Sequence, residues 1–319
     1  MQHPEPVAEA TRVRDDSATG SPPAGSSWGP APAPDGLVAD LVARCTFPPP
    51  GTPLACAVSG GPDSLALLVL ATAAGCGVTA HHVDHGLRPG SAAEAGVVAD
   101  AAARLGARFV AHRVTVAPGP NLEARARAAR RAALPAGTAT GHTADDQAET
   151  IVLNLLRGSG LDGLAGIRPG PTKPLLGLRR AETAAVCAAA GLEPVHDPSN
   201  ADPAHRRNRV RHEVLPLLEE VAGRDLVPVL GRQAELLRDE ADLLDELAAA
   251  VDPADSGALA ALPTPLARRA VRRLLGGEHP PGAAAVERVL AVARLEAGAC
   301  EVAGGRRVRR SAGRLHLEP

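Results

Sequence analysis

The feature that most constrains this chain is a regular alternation that begins at Leu54 and runs to Gly160. Short apolar runs (LACAVS, VTAHHVDHG, ARFVAHRVTV and GTATGH) each give way to a stretch of helical periodicity. Those stretches are LALLVLATAAG, closed by Gly75; SAAEAGVVADAAARLG, with Ser91 and Glu94 spaced as a capping box; and NLEARARAARRAAL, capped by Asn121. The fourth, TADDQAETIVLNLLRGSG, runs from a Thr143 cap to a glycine stop. Strands alternating with helices of this length predict an α/β fold with a doubly wound, largely parallel sheet. Ligands of such sheets bind outside the carboxyl ends of the strands. SGGPDS, VDHGLR and GHTADDQAET all follow strands there.

The flanks read differently. Residues 1–35 hold seven prolines with Gly, Ser and acidic residues and no apolar periodicity, which predicts a disordered extension. A short helix over Leu37–Cys45 leads into FPPPGTP. Beyond Leu175 come the helix RRAETAAVCAAAG and a polar stretch, EPVHDPSNADPAHRRNRVRHEV. A long amphipathic helix follows from about Leu226 to Val251, then helices over Pro265–Gly276 and Pro281–Glu296. The tail, ACEVAGGRRVRRSAGRLHLEP, alternates with period two and predicts a small β-meander. These readings divide the chain into an extension (1–35), an α/β domain (36–216) and a smaller helical domain with the meander (217–319).

Composition removes several functional classes. No apolar run approaches the roughly 18 residues needed to cross a bilayer, and the N-terminus lacks the basic and apolar regions of a secretory signal. The 5 cysteines are scattered without a CxxC pair, which argues against a disulfide framework, a zinc ribbon or an iron–sulfur cluster. A reduced, cytoplasmic setting fits. With Phe47, Phe109 and Trp28 as the whole aromatic complement, the cores must be built from Leu, Val and Ala. Of 34 basic residues Lys173 is the single lysine, and the net charge is −2. Any nucleic-acid contact therefore rests on local arginine patches.

Ser59–Ser64 is the most informative segment. Gly60 and Gly61 let backbone approach a phosphate chain, Pro62 suits the first helical position, and the free N–H groups there favour an anion. Ser59 and Ser64 add hydroxyl donors. Asp63 is repelled by phosphate unless a divalent cation lies between, so Mg²⁺ is inferred, with Asp63 and Asp146 as ligands. A plain Gly-Pro turn into a helix is the alternative; both serines, with a strand before and a helix after, weigh against it.

SGGxDS after the first strand resembles the signature of the PP-loop ATP pyrophosphatases. With VDHGLR, GHTADDQAET, RGSGLDGLAGI, KPLLGLRR and HDPSNAD…RNRVR in that order, the resemblance narrows to the bacterial tRNA(Ile)-lysidine synthetases, in a short form. It covers about Leu54–Leu218, and more weakly the rest. It implies ATP-dependent ligation of free L-lysine to C2 of the wobble cytidine of a CAU-anticodon tRNA(Ile), through an adenylated cytidine. It also makes 36–216 the ATP-binding catalytic domain and 217–319 the tRNA-binding one. A homodimer is kept as a candidate assembly, and no membrane partner is expected.

The residues suit that chemistry. Asp146 and Glu149 stand three apart on a helix and project from one face, where they can hold lysine's ammonium or Mg²⁺, with Asp145 as support. Acids stabilising a helix dipole are the plain alternative. Arg88 is a candidate for charge developing on the α-phosphate, and His85 for nucleotide contact. Arg206, Arg207, Asn208 and Arg211 are candidates for ATP phosphates or the tRNA backbone, as are the arginines of 125–131, 268–273 and 306–310. His142 is a candidate contact to nucleotide or substrate, whereas His81 and His82 read as structural. Three other readings compete: cytidine 2-thiolation, a small-molecule amidating ligase such as an NAD synthetase, and a non-catalytic ATP- or tRNA-binding module.

Overall fold

The computed structural model describes residues 35–84, 91–115, 122–195, 202–277 and 281–319. The extension expected over 1–35 lies outside them, apart from Asp35, which opens α1 (Asp35–Val42). The alternation then appears in order: β1 (Pro53–Ala57), α2 (Pro62–Ala73), β2 (Gly77–Asp84), α3 (Ser91–Arg104), β3 (Arg108–Arg113), α4 (Leu122–Ala133), β4 (Ala139–Thr140) and α5 (Ala144–Leu156). The short α6 (Leu161–Leu164) and α7 (Arg180–Ala189) follow. The cap expected at Asn121 lies outside the described residues, and Ser91 is the first residue of α3.

Among the described residues the sheet order is β3-β2-β1-β4, and every pairing is parallel. The order reverses at β1, which pairs β2 on one side and β4 on the other. Such a switch point opens a crevice beyond the strand ends. LACAVS forms the strand that borders it, with Leu54, Cys56 and Val58 buried. Every residue of α2 from Ser64 to Ala71 is buried, which is why its sequence lacks a polar face. It packs against α1 and α7, with Leu175, Leu178, Val186 and Cys187 completing a core almost free of aromatics. Each fully buried leucine there contributes roughly 2 kcal/mol.

The polar stretch before the long helix is more ordered than its sequence suggests. Residues 196–201 lie outside the description, but α8 (Arg206–Arg209) is followed by one π-helical turn (Val210–Val214) and by α9 (Leu215–Ala222). Pro216 sits at the start of α9, and the widened turn ahead of it accommodates the missing N–H and the ring. The long helix is α10 (Val227–Ala249).

The chain forms two compact units. The first comprises the described residues up to Arg157 together with Gly166–Gly231; the second comprises Gly158–Ala165 and Arg232–Pro319. The division therefore falls later than 216. The reason is a small apolar cluster in which Leu215, Val227 and Leu230 pack with Ala148, Val152 and Val210, tying α9 and the start of α10 to α5.

The second unit holds α11 (Ser256–Ala261), α12 (Thr264–Leu275), α13 (Ala283–Ala293) and the antiparallel meander β5 (Ala299–Glu301), β6 (Arg307–Ser311) and β7 (Arg314–Glu318). Val308 and Leu315 face its core beside Leu259, Val271 and Leu290. Several arginines expected to track phosphate are engaged internally. Buried Arg269 meets Asp162 and Asp245, Arg273 donates to Ala248 O (2.6 Å), Arg306 to Leu275 O (3.0 Å) and Arg310 to Ser256 Oγ (2.7 Å). Arginine here supplies the polar bracing that a chain with one lysine and no tyrosine must draw from elsewhere. No described helix is long and apolar enough to cross a membrane.

Candidate active site

β1 runs into Val58–Gly61, and α2 starts at Pro62. Gly60 has φ +90°, which favours glycine, and a Cβ there would also crowd Val195 Cγ2 at 3.1 Å. Ser64 Oγ donates to Gly61 O (2.9 Å) and accepts from Ser59 N (3.1 Å), with Ser59 Oγ 3.3 Å away. The two hydroxyls thus brace the loop. No side chain caps the first turn of α2, which leaves its positive dipole end bordering the cleft. Across the loop, Gly141, directly after β4, lies so close that a Cβ would stand 2.5 Å from Asp63 O. Only glycine permits that approach. Between the two walls lies a cleft of about 290 Å³, bordered by Ser59, Gly61 and Asp63 on one side and Thr140, His142 and Asp146 on the other.

The acids on α5 do not stand alone. Asp146 closes a capping box with Thr143: its Oδ2 accepts from Thr143 N (2.9 Å) and Oγ1 (3.0 Å). Its Oδ1 accepts from Arg180 (3.4 Å) and Arg207 (3.0 Å). The carboxylate that caps α5 therefore also borders the cleft. Glu149 is 1% exposed and takes three guanidiniums: Arg180 at 3.1 Å, Arg207 at 2.7 Å and Arg211 at 2.7 Å. Asp145 accepts from Arg180 N (2.8 Å) and pairs with Arg179 (3.2 Å). Asp63 accepts from Thr183 Oγ1 (2.5 Å) and lies 3.7 Å from Arg180 Nε. Arg180 therefore touches Asp63, Asp146 and Glu149 and ties the phosphate loop to α5.

Environment separates the two carboxyls bordering the cleft. Burial pushes Asp63 above its usual range and the negative charge of Asp146 adds to this, against Thr183 and Arg180. For Asp146 burial also pushes upward, but the Thr143 N–H and the guanidiniums of Arg207 and Arg180 outweigh it, and its pKa falls. His142 Nδ1 lies 2.8 Å from Thr140 Oγ1, which accepts from Lys173 Nζ at 2.5 Å. Burial, followed by the Lys173 charge, lowers His142 to about 4. His82 bonds Val58 O (2.9 Å) and is structural, whereas His81 borders the cleft and stacks on His112, with Nδ1 2.8 Å from His112 Nε2.

The structure brings Ser59, Gly61, Asp63, Ser64 and Asp146 to one cleft, with Gly60 and Pro62 shaping the loop. Glu149, Arg207 and Arg211 adjoin it through their ion pairs. Arg206 is exposed, and buried Asn208 donates to Asp202 O (2.8 Å), bracing its own segment. His85 and Arg88 lie outside the described residues. Sequence reasoning passed over Arg180, Thr183 and Thr140. The Arg179–Arg180 pair is conspicuous at the end of KPLLGLRR, but nothing local indicates that it meets acids on α5.

The PP-loop domain model matches residues 39–218, and the TilS substrate binding domain model matches residues 255–316. The chain is 47% identical over 238 residues to a tRNA(Ile)-lysidine synthase of Nocardia farcinica, covering 70% of this chain and 75% of that protein. It is 40% identical over 315 residues to a tRNA(Ile)-lysidine synthase of Thermobifida fusca, covering 89% and 97%. The chain belongs to the tRNA(Ile)-lysidine synthase family. A further family member, from Rhodococcus erythropolis, is 45% identical over 235 residues, covering 69% and 72%. Apart from Gly158–Ala165, the first match lies within the sheet unit, and the second lies within the helical unit. Family membership implies the use of ATP.

Proposed function

We propose that this chain ligates free L-lysine to C2 of the wobble cytidine of a CAU-anticodon tRNA(Ile). The observation that carries this is the meeting, in one cleft of a family member, of a phosphate loop and a carboxylate–arginine cluster. Cytidine O2 is a poor leaving group, so O2 first attacks the α-phosphorus of ATP and pyrophosphate departs. Lysine's side-chain amine, with an ordinary pKa near 10.4, must then lose a proton before attacking C2 and displacing AMP.

In this reading the α2 N-terminus and the Ser59–Ser64 backbone bind phosphate. Arg180, held at the junction of Asp63, Asp146 and Glu149, offsets charge that develops there. Asp146 and Glu149 receive the lysine ammonium. Because three arginines already surround Glu149, an incoming ammonium exchanges with a guanidinium instead of filling an empty acid pocket. Arg207 and Arg211, once released, are free to meet nucleotide or RNA phosphate.

The residues present also fit Mg²⁺. Asp63 and Asp146 approach the cleft from opposite walls, near enough for the charge of one to raise the pKa of the other. Among the described residues no three His, Cys, Asp or Glu side chains gather as a resident metal cage. A magnesium ion there would take its remaining ligands from phosphate and water, its usual habit, and would supply neutralisation of phosphate charge. The 2-thiolation reading fares worse: no cysteine borders the cleft, and burial pushes the Cys45 and Cys56 thiols up to about 12.

The helical unit is the proposed tRNA-facing part, and the cytoplasm, where free lysine, ATP and tRNA meet, the proposed location. An assembly of two chains is read by light scattering. The enzyme, ATP, Mg²⁺, radiolabelled lysine and a CAU-anticodon tRNA(Ile) transcript should give label in the tRNA. A folded, ATP-binding enzyme that leaves the tRNA unlabelled would sink the proposal.

A further inference from the structure

The arginine bias of this chain makes its one lysine worth following. Every other basic residue is arginine, yet at position 173 a compact ammonium stands where a planar guanidinium is the rule. Lys173 is half-buried, and its Nζ donates to Thr140 Oγ1 at 2.5 Å. The same hydroxyl lies 2.8 Å from His142 Nδ1. Thr140 and His142 border the cleft.

Donor and acceptor capacity, taken with the contact lengths, points to one tautomer. An ammonium donates only, so one lone pair of Thr140 Oγ1 is taken by Lys173. The hydroxyl has a single proton to give, to His142 Nδ1 at 2.8 Å or to Thr172 O at 3.3 Å. The histidine contact is the shorter by 0.5 Å, and a hydroxyl polarised by an ammonium gives its proton to the nearer, more basic imidazole nitrogen. With Nδ1 accepting, the proton of a neutral ring sits on Nε2. Burial and the Lys173 charge keep that ring neutral at physiological pH.

We infer that Lys173 is a positioning residue which, through Thr140, fixes His142 as the Nε2–H tautomer and so presents a neutral hydrogen-bond donor to an oxygen acceptor in the cleft. His142 on this account is a donor and not a general base, because its Nδ1 is occupied. That the acceptor is a nucleotide phosphate oxygen rests on the function proposed above. The tautomer does not.

Two measurements test this. In protein labelled with ¹⁵N-histidine, His142 at pH 7 should show its proton on Nε2 with Nδ1 as acceptor. A proton on Nδ1, or an imidazolium, overturns the inference whatever the enzyme's activity. The second is a double-mutant cycle read as tRNA-dependent pyrophosphate release. Removing one preorganised donor costs roughly 10²–10³-fold, so partial loss of its orientation in Lys173→Met should cost about tenfold in kcat. In a His142→Ala background Lys173→Met should cost nothing further. An equal loss in both backgrounds would mean that Lys173 acts structurally. If wild-type enzyme released no pyrophosphate with tRNA, the function reading would fail while the tautomer signal stood. If Lys173→Met does not fold, the wild-type spectrum alone decides.

Discussion

Glu149 offers the sharpest test of how the site is held together. Its carboxylate is 1% exposed and receives guanidiniums from three elements. Glu149→Gln keeps the shape and removes the charge. Removing one partner of a buried ion pair costs about 3–5 kcal/mol. Two features reduce that figure: Arg180, Arg207 and Arg211 are 26%, 29% and 25% exposed, so water screens them, and Asp146 still pairs with two of them. A loss of about 2–3 kcal/mol is expected. For a body of this size each kcal/mol moves Tm by about 2–4 °C, so the sheet unit should melt about 5–10 °C lower. Thermal unfolding followed by circular dichroism measures this. Arg209→Gln is the control, since exposed Arg209 pairs with Glu213 on the same segment and its loss should not register. A Glu149→Gln chain that melts with the wild type would refute the claim that this carboxylate anchors the arginines.

Other expectations follow from the same geometry. Asp63 has a raised pKa, so the stability it contributes is fully present below its ordinary 3.8 and is lost as pH rises through the folded value. Asp63→Asn should therefore hold or raise Tm at pH 7 while abolishing pyrophosphate release; normal turnover would remove its phosphate and metal role. Gly141→Ala places a Cβ 2.5 Å from Asp63 O and should cost about 1–3 kcal/mol as well as activity. An alanine variant with wild-type Tm and turnover would contradict the close approach. His142, lowered from 6.5 to about 4, stays neutral in the folded chain while the unfolded chain takes up its proton. Stability should then fall as pH drops from 6.5 toward 4, and the urea midpoint should fall further for wild type than for His142→Gln. Equal falls would place the titration elsewhere, at His81 or His112 for example.

The α/β alternation, the phosphate loop, the Thr143 cap and the tail meander were legible because each rests on local signals: periodicity, glycine, proline and cap spacing. The run from His205 to Arg211 was not. Its arginines suggest contacts to phosphate, and only the fold shows Arg207 and Arg211 turned onto Glu149, with Arg211 inside the π-helical turn that precedes Pro216. Arg180 was hidden for a similar reason, since its three carboxylates are remote in sequence. The tail misled in the other direction. Val308 and Leu315 are core residues, so deleting residues 304–319 would unfold the second unit and not merely remove charge. Salt dependence of tRNA binding is better probed by replacing exposed Arg307.

The most direct test of the function is the chemical identity and position of the product. After incubation with ATP, Mg²⁺ and lysine, the CAU-anticodon tRNA(Ile) is digested and its fragments are weighed by mass spectrometry. A gain equal to lysine less water, confined to the first anticodon nucleotide and dependent on ATP, is the expected result. A sulfur-for-oxygen mass change, or an unmodified anticodon from an enzyme shown to bind both ATP and tRNA, would contradict the account.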